Sequence, residues 1–370
     1  MMKTCLIFRY APSYRMPIYK LLQKELDVSF IFPSETSICL KKGDYSELNN
    51  CIFCGKEKKI FNKLYYFSDI NKKKLFSYDN LIFAGDVRDL TSWYILIVCR
   101  FRKNIKTILW THGYYGKENF FEKIVKKIFY GLPDYVLLYG NYAKDLMITN
   151  KIAKPSNLKV IYNSLDYDKQ LNFRNTNLFS ESYFQHFNNR DKNIVFVGRL
   201  TKVKKLDMLI NAVYILKKRS FKVNVTFIGD GEVKNELVAL IEDCGLNDQV
   251  WFFGETYDEN ILSKMIYNAD LCVSPGNVGL TAIHSLSFGT PVITHDNFTR
   301  QGPEFEAIEP NKTGLFFKHN NTISLANTIV EWFKNDFDRE IIRENCYKVI
   351  DERYNPHYQL KVLELLLKSS

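Results

Sequence analysis

Short apolar, β-rich runs alternate with longer amphipathic stretches along almost the whole chain. This alternation predicts a parallel sheet covered by helices. In the first half, we predict strands at 3–8, 28–32, 80–83, 106–110, 134–139 and 158–162, and helices at 16–26, 88–102, 119–131 and 141–150. In the second half, we predict strands at 193–197, 223–228, 249–252, 270–273 and 291–294, and helices at 205–219, 232–244, 258–267, 279–288 and 322–335. Residues 36–65 have no clear period. The pattern predicts an α/β protein.

The length of 370 residues suits two domains at roughly 150 residues each. A polar stretch over 165–192 separates two strand signals, so we predict an N-terminal domain at 1–185 and a C-terminal domain at 186–355. Residues 356–370 contain a strongly apolar helical stripe and are expected to form a terminal helix.

The positive charge is concentrated in the first half of the chain. Residues 1–185 carry 29 basic and 17 acidic side chains, a net charge of +12, and the remainder carries −2. This distribution indicates either a basic face for an anionic partner or a solvated lysine-rich surface. The pI near 9.0 is the one feature that suggests nucleic-acid binding. The sequence contains no recognition helix with clustered basic residues and no aromatic RNA-binding motif, so we expect no nucleic-acid partner.

The cysteines indicate no zinc site. Of eight, only Cys51 and Cys54 are close in sequence, without the second pair or clustered histidines that zinc needs. We interpret them as reduced thiols in a loop, with a redox pair as the alternative.

The apolar stretch at the start of the sequence is too short for a signal peptide, and no window reaches the ~18 apolar residues of a spanning helix. We therefore expect a cytoplasmic protein, or one peripheral on the inner face of the cell membrane.

Two strand-to-helix segments carry the clearest chemical signal. In the first, a strand ends at Gly198, and Arg199 and Lys204 follow before an amphipathic helix. Parallel sheets bind ligands beyond the carboxyl ends of their strands, and Arg and Lys together suit a diphosphate. An exposed basic turn is the alternative interpretation.

In the second segment, a Pro/Gly loop leads to Gly279, where amides at a helix N-terminus can meet a phosphate. His284 lies in that helix as either a ligand contact or a structural histidine.

These segments resemble the donor-binding domain of the retaining GT-B glycosyltransferases of family 4 (glycosyl transferases group 1). The resemblance runs from about 193 to 317 and includes 227–231, 252–254 and 311–316. Weaker matches lie at 111–113 and 160–166. It implies two Rossmann-like, doubly wound domains facing a central cleft, with the C-terminal helix packing back toward the N-terminal domain.

The resemblance also implies roles for individual residues. Arg199 and Lys204 would hold the donor diphosphate, and His112 would lie beside the donor sugar as a further catalytic residue. The backbone near Phe253 would face the base, and Glu304 is a plausible equivalent of the family's Pro-Glu position. The donor-binding residues implied in full are Gly198, Phe253, Gly276, Asn277, Val278, Gly279, Leu280, His284 and Glu304.

One departure from the family is serious. Two glutamates, eight residues apart, usually contact the sugar hydroxyls and the ribose, and here Gly276 and His284 occupy those positions. Either His284 holds the ribose and backbone amides of 277–279 hold the sugar, or donor binding is altered or lost. The alternative function is a non-catalytic partner subunit that binds a sugar nucleotide.

The leaving diphosphate can be neutralised by a metal or by fixed cations. The D-x-D patterns at 166–168 and 336–338 are weak signals that we interpret as surface, so we expect metal-independent transfer with no cofactor. The resemblance implies retention at the anomeric carbon, without a firm protein nucleophile. We expect a UDP- or GDP-linked donor.

The acceptor side is less specific. Arg15 and Arg88 follow predicted strands and are candidate contacts to an anionic acceptor, or else structural residues. Residues 119–130 place Phe121, Ile124, Val125 and Ile128 on one helical face, with lysines elsewhere. That helix either lies on anionic lipid or faces the core. Together these features predict sugar transfer to a glycan, expected to be lipid-linked, in bacterial-type surface polysaccharide synthesis.

Overall fold

The computed structural model of the chain describes residues 2–38, 42–61, 63–102, 104–335 and 337–368. The chain forms two compact units, one made of Met1–Asp166 with Asn355–Ser370 and one made of Tyr167–Tyr354. Each unit contains a parallel sheet with helices, as the alternating pattern predicts. Among the described residues, no helix has both the length and the apolar character needed to cross a bilayer.

The first unit is built on a seven-stranded parallel sheet in the order β3-β2-β1-β6-β7-β8-β9, with β4 and β5 as a separate antiparallel pair. The strands are β1 Thr4–Ile7, β2 Ser29–Pro33, β3 Cys51–Cys54, β4 Glu57–Ile60, β5 Leu64–Phe67, β6 Asn80–Ala84, β7 Lys106–Thr111, β8 Tyr135–Leu138 and β9 Leu158–Val160. The helices are α1 Met16–Leu26, α2 Lys72–Leu75, α3 Leu90–Phe101, α4 Phe120–Tyr130 and α5 Asn141–Thr149.

Alternate residues of these strands enter two separate cores on opposite faces of the sheet, because successive side chains of a strand point to opposite faces. Ile7 and Phe83 belong to the core that α3 and α4 help to cover. Leu6 and Ile82 belong to the other core, which α1 covers. The first unit is therefore doubly wound.

The second unit has a six-stranded parallel sheet in the order β12-β11-β10-β13-β14-β15. Its strands are β10 Lys192–Val197, β11 Val223–Ile228, β12 Val250–Gly254, β13 Leu271–Val273, β14 Val292–His295 and β15 Gly314–Phe317. Its helices are α6 Tyr167–Arg174, α7 Ser182–Phe187, α8 Leu206–Lys218, α9 Lys234–Asp243, α10 Glu259–Asn268, α11 Leu280–Ser287, α12 Thr322–Lys334 and α13 Arg339–Arg353. Every residue of β11 is buried, as expected for a strand covered on both faces.

The last helix, α14 Pro356–Lys368, belongs to the first unit and packs beside α1. Leu363 and Leu366 enter the core on that face of the sheet. Gln359 donates a hydrogen bond from Nε2 to the carbonyl oxygen of Tyr162, 2.8 Å away. The expected return of the C-terminal helix to the N-terminal domain is therefore confirmed.

The boundary between the units lies after Asp166, whereas the sequence analysis places it after residue 185. Polarity alone suggested a linker, but α6 and α7 within that stretch are folded onto the second unit. Tyr183 donates a hydrogen bond to the carbonyl oxygen of Met265 at 2.7 Å, and Arg174 forms an ion pair with Asp351 at 2.7 Å.

The predicted strands and helices are all present, with shifts of one or two residues at their ends. The segment 36–65, which has no clear period, contains β3, β4 and the start of β5. Strand β4 has the sequence Glu-Lys-Lys-Ile, so no apolar alternation marks it. Helix α13 was missed although Ile342, Cys346, Val349 and Ile350 have helical spacing and are buried. The expectation of a loop at Cys51 and Cys54 is wrong, because both lie on β3, which pairs with β2.

Candidate functional site

In the second unit, two chain segments meet where the strand order reverses, between β10 and β13. Ligands of such sheets bind at this point because the connections leave toward opposite faces there. The backbone turns sharply at Gly198 after β10, with a φ of 145° that favours glycine. Gly229, after β11, packs against this turn, since a Cβ there would lie 2.0 Å from the carbonyl oxygen of Gly198.

The Pro/Gly loop after β13 is fastened to the short 3-10 helix Lys202–Lys204 that precedes α8. The amide of Gly276 donates to the carbonyl oxygen of Lys204 at 2.9 Å, and the Lys204 ammonium donates to the carbonyl oxygen of Asn277 at 2.6 Å. A Cβ at position 276 would lie 2.0 Å from the carbonyl oxygen of Val203. The loop therefore lies directly on the backbone of the cationic segment.

Gly279 ends this loop with a φ of 52° and is the N-cap residue of α11. The first amides of a helix have no intrahelical partner, so they are available to an anion. The Lys204 Nζ atom lies 4.0 Å from where a Gly279 Cβ would be. The amide of Val278 is already used, since it donates to the Gln301 side chain at 2.9 Å. The ammonium and the start of α11 therefore lie side by side.

One carboxylate and one further cation lie near the Lys204 ammonium. Burial lowers the pKa of Lys204, the nearby Glu304 carboxylate raises it, and the Arg199 guanidinium lowers it, for a net decrease. Glu304 is buried in the 3-10 helix Pro303–Ala307. Arg199 is exposed, and it forms no ion pair with any residue that the structure describes. Two cations close enough to repel each other form a suitable cradle for a diphosphate.

His284 lies one turn inside α11 and contacts the carboxylate of Glu259, a residue that the sequence analysis did not select. Its Nε2 atom is 3.0 Å from Oε1 of Glu259 in the first turn of α10. Burial raises the pKa of Glu259, whereas the hydrogen bond from His284 and the other polar contacts of Glu259 lower it. The lowering effects together exceed that of burial, so the net shift of the pKa is downward. No sequence motif marks Glu259, because α10 and α11 become neighbours only through the fold.

Phe253, predicted to lie near a nucleotide base, lies in β12 at the sheet edge. It is half-buried, and its ring centroid is 5.1 Å from that of Trp251. At the neighbouring Gly254 an added Cβ would meet no atom within 4 Å, so the space beside this backbone is open.

In the first unit, a cavity of about 450 Å³ lies at the corresponding reversal of strand order, between β1 and β6. The loops that follow β1, β6, β7 and β8 line it. Three residues that the sequence analysis selected separately, Arg15, Arg88 and His112, all lie on its wall. The fold therefore brings these three residues to one cavity.

His112 follows β7, with its ring centroid 4.7 Å from that of Tyr139. Its side chain is exposed on the wall of the open cavity. Desolvation by the neighbouring residues, with smaller contributions from the charges of Arg15 and Lys126, lowers the pKa of His112 to about 4. The imidazole is neutral at pH 7, so one nitrogen can donate a hydrogen bond and the other can accept one.

The two predicted arginines differ in their partners. Arg88 forms a bidentate ion pair with Asp86, at 2.9 Å from Nε to Oδ1 and 2.8 Å from Nη2 to Oδ2. Its charge is therefore already matched, which weakens the expectation that it recognises an anion. Arg15 is buried among aromatic rings, with its guanidinium carbon 4.5 Å from the ring centroid of Trp110.

The D-x-D patterns do not combine into a metal site among the residues that the structure describes. No three His, Cys, Asp or Glu side chains there come close enough to hold an ion. Asp338 accepts hydrogen bonds from the amides of Glu340 and Ile341 and is the N-cap residue of α13. Asp336 lies outside the described residues.

Comparison with known proteins identifies the type of fold. Residues 180–349 match the family model of the glycosyl transferases group 1. The chain superimposes on Anabaena HepE in complex with UDP with a TM-score of 0.72, at 16% identity and 99% coverage of both chains. The chain has a GT-B fold, and its residues 180–349 are similar to the glycosyl transferases group 1.

Two relatives of this GT-B chain carry assigned activities. The poly(ribitol-phosphate) α-N-acetylglucosaminyltransferase of Staphylococcus aureus is 27% identical over 48% of the chain and 37% of its own length. A Campylobacter jejuni enzyme is 27% identical over 60% of the chain and 58% of its own length. It is named an N-acetylgalactosaminyltransferase acting on a diphospho-undecaprenol-linked sugar. The chain thus spans less than two thirds of either relative.

Proposed function

We propose that this protein transfers a sugar from a nucleoside diphosphate donor to a glycan acceptor in surface polysaccharide synthesis. The observation that carries the proposal is the cationic cradle of Arg199, Lys204 and the N-terminus of α11. The two cations precede the start of α11 by about 80 residues, yet all three groups lie at the strand reversal where α/β sheets bind ligands.

The cradle supplies the charge that the reaction needs. Breaking the bond between the anomeric carbon and the diphosphate leaves negative charge on the phosphate oxygens, which fixed cations and amides stabilise. The acceptor hydroxyl forms the new bond from the side of the leaving group, and its proton passes to the departing phosphate. The product then retains the anomeric configuration. Since Arg199 and Lys204 provide the positive charge, we propose that no metal is required.

His284 takes over the ribose contact in this proposal, with Glu259 orienting its ring. The hydrogen bond of 3.0 Å to Glu259 leaves Nδ1 of His284 for a hydroxyl group. The sugar hydroxyls would be held by backbone groups of 277–279. The contact of His112 with the donor sugar stays a prediction from the family resemblance.

A screen of UDP- and GDP-linked sugars tests this proposal. We expect one donor to raise the melting temperature and to be hydrolysed or transferred equally well with EDTA and with added Mg²⁺. Arg199→Ala is expected to remove turnover while leaving the melting temperature of the ligand-free protein unchanged. Unchanged turnover in that variant, or strict dependence on a divalent ion, would contradict it.

Gly276 favours a second candidate, a subunit that binds the sugar nucleotide without catalysis. The position where the family carries a carboxylate lies against the carbonyl oxygen of Val203 and has no room for a side chain. Donor stabilisation without product, in the presence of a range of glycan acceptors, would favour this candidate over the first.

We further propose that the first unit docks on an anionic membrane, where a lipid-linked acceptor would be met. The predicted apolar face of α4 is exposed, with Phe121 at 77% and Ile128 at 55%, so the interpretation that this face turns to the core is wrong. Helix α4 packs on the core through Phe129 and Tyr130 instead. Phe101 of α3 is 84% exposed, and α3 and α4 are neighbours through the rings of Trp93 and Phe129 at 4.9 Å.

Basic side chains border this apolar surface. Lys127 on α4 and Arg100 on α3 are both exposed. An apolar face bordered by cations binds the headgroup region of anionic bilayers. We expect sedimentation with phosphatidylglycerol vesicles, weaker sedimentation with phosphatidylcholine, and loss of binding in Phe121→Ser/Ile128→Ser. Phe179→Ser, at an exposed phenylalanine of the second unit, is the control. Equal sedimentation of the double variant and the control would refute the docking surface.

A further inference from the structure

Arg15 is a buried cation whose hydrogen-bonding partners are neutral. Its side chain is 8% exposed, and it lies in the short 3-10 helix Ser13–Arg15 that leads into α1. One guanidinium nitrogen donates to the hydroxyl of Tyr19 at 3.3 Å, and another donates to the hydroxyl of Tyr139. Among the described residues, no carboxylate forms an ion pair with it.

Aromatic rings enclose this guanidinium. Its central carbon lies 4.5 Å from the ring centroid of Trp110 and 5.4 Å from that of Phe8. Cation–π contacts of this kind offset part of the cost of desolvating a charge, but they do not neutralise it. The positive charge of Arg15 is therefore held in a rigid position on the wall of the cavity.

The other cations on this wall are matched by carboxylates. Arg9 forms a bidentate pair with Glu57, Arg88 pairs with Asp86, and Lys126 pairs with Glu118 at 2.6 Å. His112 on the same wall is neutral at pH 7. The unmatched charge within the described part of the cavity is that of Arg15.

We propose that Arg15 binds a phosphate group of the acceptor. The planar fork of a guanidinium matches phosphate oxygens, and the cavity of about 450 Å³ leaves room for a phosphorylated sugar ring beside it. The hydroxyl of Tyr10, on the same wall, can add a further hydrogen bond. This inference rests on the proposed function for its acceptor, but the anion site itself can be tested without turnover.

Inorganic phosphate is the probe, and the full chain carrying Lys204→Ala is the background, so that the donor cradle contributes little. We expect phosphate to raise the melting temperature more than chloride at equal ionic strength. In Arg15→Met the apparent affinity for phosphate is expected to fall about tenfold or more, because a charge-assisted hydrogen bond is lost. Arg102→Met, which removes one exposed charge outside the cavity, is the matched control and should bind like the background.

A second measurement remains informative if Arg15→Met does not fold. Since the guanidinium lies against the ring of Trp110, phosphate bound there should change the tryptophan fluorescence of the otherwise native protein, and Trp110→Phe should abolish that change. The Arg15→Lys variant keeps the positive charge but lacks the planar guanidinium, so it is expected to bind phosphate more weakly than the protein with Arg15.

The outcomes separate this inference from the proposed function. Phosphate binding that needs Arg15 supports the site even if no nucleotide sugar is turned over. No fluorescence change with phosphate, or the same change in Trp110→Phe, would overturn it, even if sugar transfer is found. Binding of acetate in preference to phosphate would also overturn it, because the site would then be selective for carboxylates.

Discussion

The carbonyl oxygen of Val203 lies where a side chain at position 276 would have to begin, 2.0 Å from the position of a Gly276 Cβ. The absence of a carboxylate at 276 is thus tied to the way this loop rests on the segment that carries Lys204. A glutamate could not be restored there by a single substitution, since the backbones themselves are in contact.

Gly276→Ala is expected to destabilise the second unit by about 1–3 kcal/mol, the usual range for inserting a methyl group into a packed region. It should also weaken donor binding, because the loop must move away from Lys204. Thermal or urea unfolding measures the first effect. Val203→Ala is the control, since its side chain is 66% exposed and the contact comes from its backbone. Equal stability of Gly276→Ala and the control would contradict the prediction.

Lys204→Ala is expected to lower the rate of donor cleavage by about 10²–10³, the range for removing one preorganised donor from a developing charge. Lys202→Ala removes an exposed lysine from the same 3-10 helix and should leave the rate nearly unchanged. The rates can be compared by single-turnover release of the nucleoside diphosphate. Similar losses in both variants would indicate a general effect of charge rather than a cradle.

Glu259→Gln should weaken donor binding if Glu259 orients His284, because the amide holds the ring less firmly than the carboxylate does. We expect a loss of about tenfold in donor affinity for His284→Ala and a smaller loss for Glu259→Gln. The double variant should lose no more than His284→Ala does, since the two residues act through one contact. Titration calorimetry with the nucleoside diphosphate measures these affinities, and fully additive losses would contradict the coupling.

His112 is expected to titrate near pH 4 in the folded protein, well below the ordinary histidine value of 6.5. The unfolded chain then binds more protons than the folded one between these two values. Stability attributable to His112 therefore decreases as the pH falls from 6.5 and levels off below about 4. NMR titration of the imidazole carbon-bound protons, assigned with His112→Asn, checks this, and a midpoint near 6.5 would contradict it.

The Arg9–Glu57 ion pair predicts a second pH effect. Burial raises the pKa of Glu57, but hydrogen bonds from Arg9, Thr36 and Ser37 lower it, and the net value is about 2 against the ordinary 4.5. The pair's contribution to stability is thus complete above about 4.5 and is lost as the pH falls through about 2. Urea midpoints measured across this range should fall less steeply in Glu57→Gln than in the native protein. Parallel curves would contradict the prediction.

The pairing of His284 with Glu259 illustrates where sequence reasoning ends. Gly198, Arg199, Lys204 and Gly279 could be selected from the chain because each follows a strand or begins a helix, which are local patterns. Glu259 gives no such signal, because its role depends on α10 lying beside α11. Similarly, the helical stripe of α4 was visible in the sequence, but its exposure was not, since an apolar face looks the same whether the fold covers it or leaves it bare.

The sequence by itself determined most strands and helices of the two sheets and the cationic turn after β10, because the periodicity of apolar residues and the positions of glycine act within a few residues. The tertiary structure decided which charges are matched. It placed Asp86 against Arg88 and left Arg15 among aromatic rings, and it set Val203 against Gly276. Such meetings depend on how distant segments pack, and the energy of a buried charge depends on those neighbours rather than on its own place in the chain.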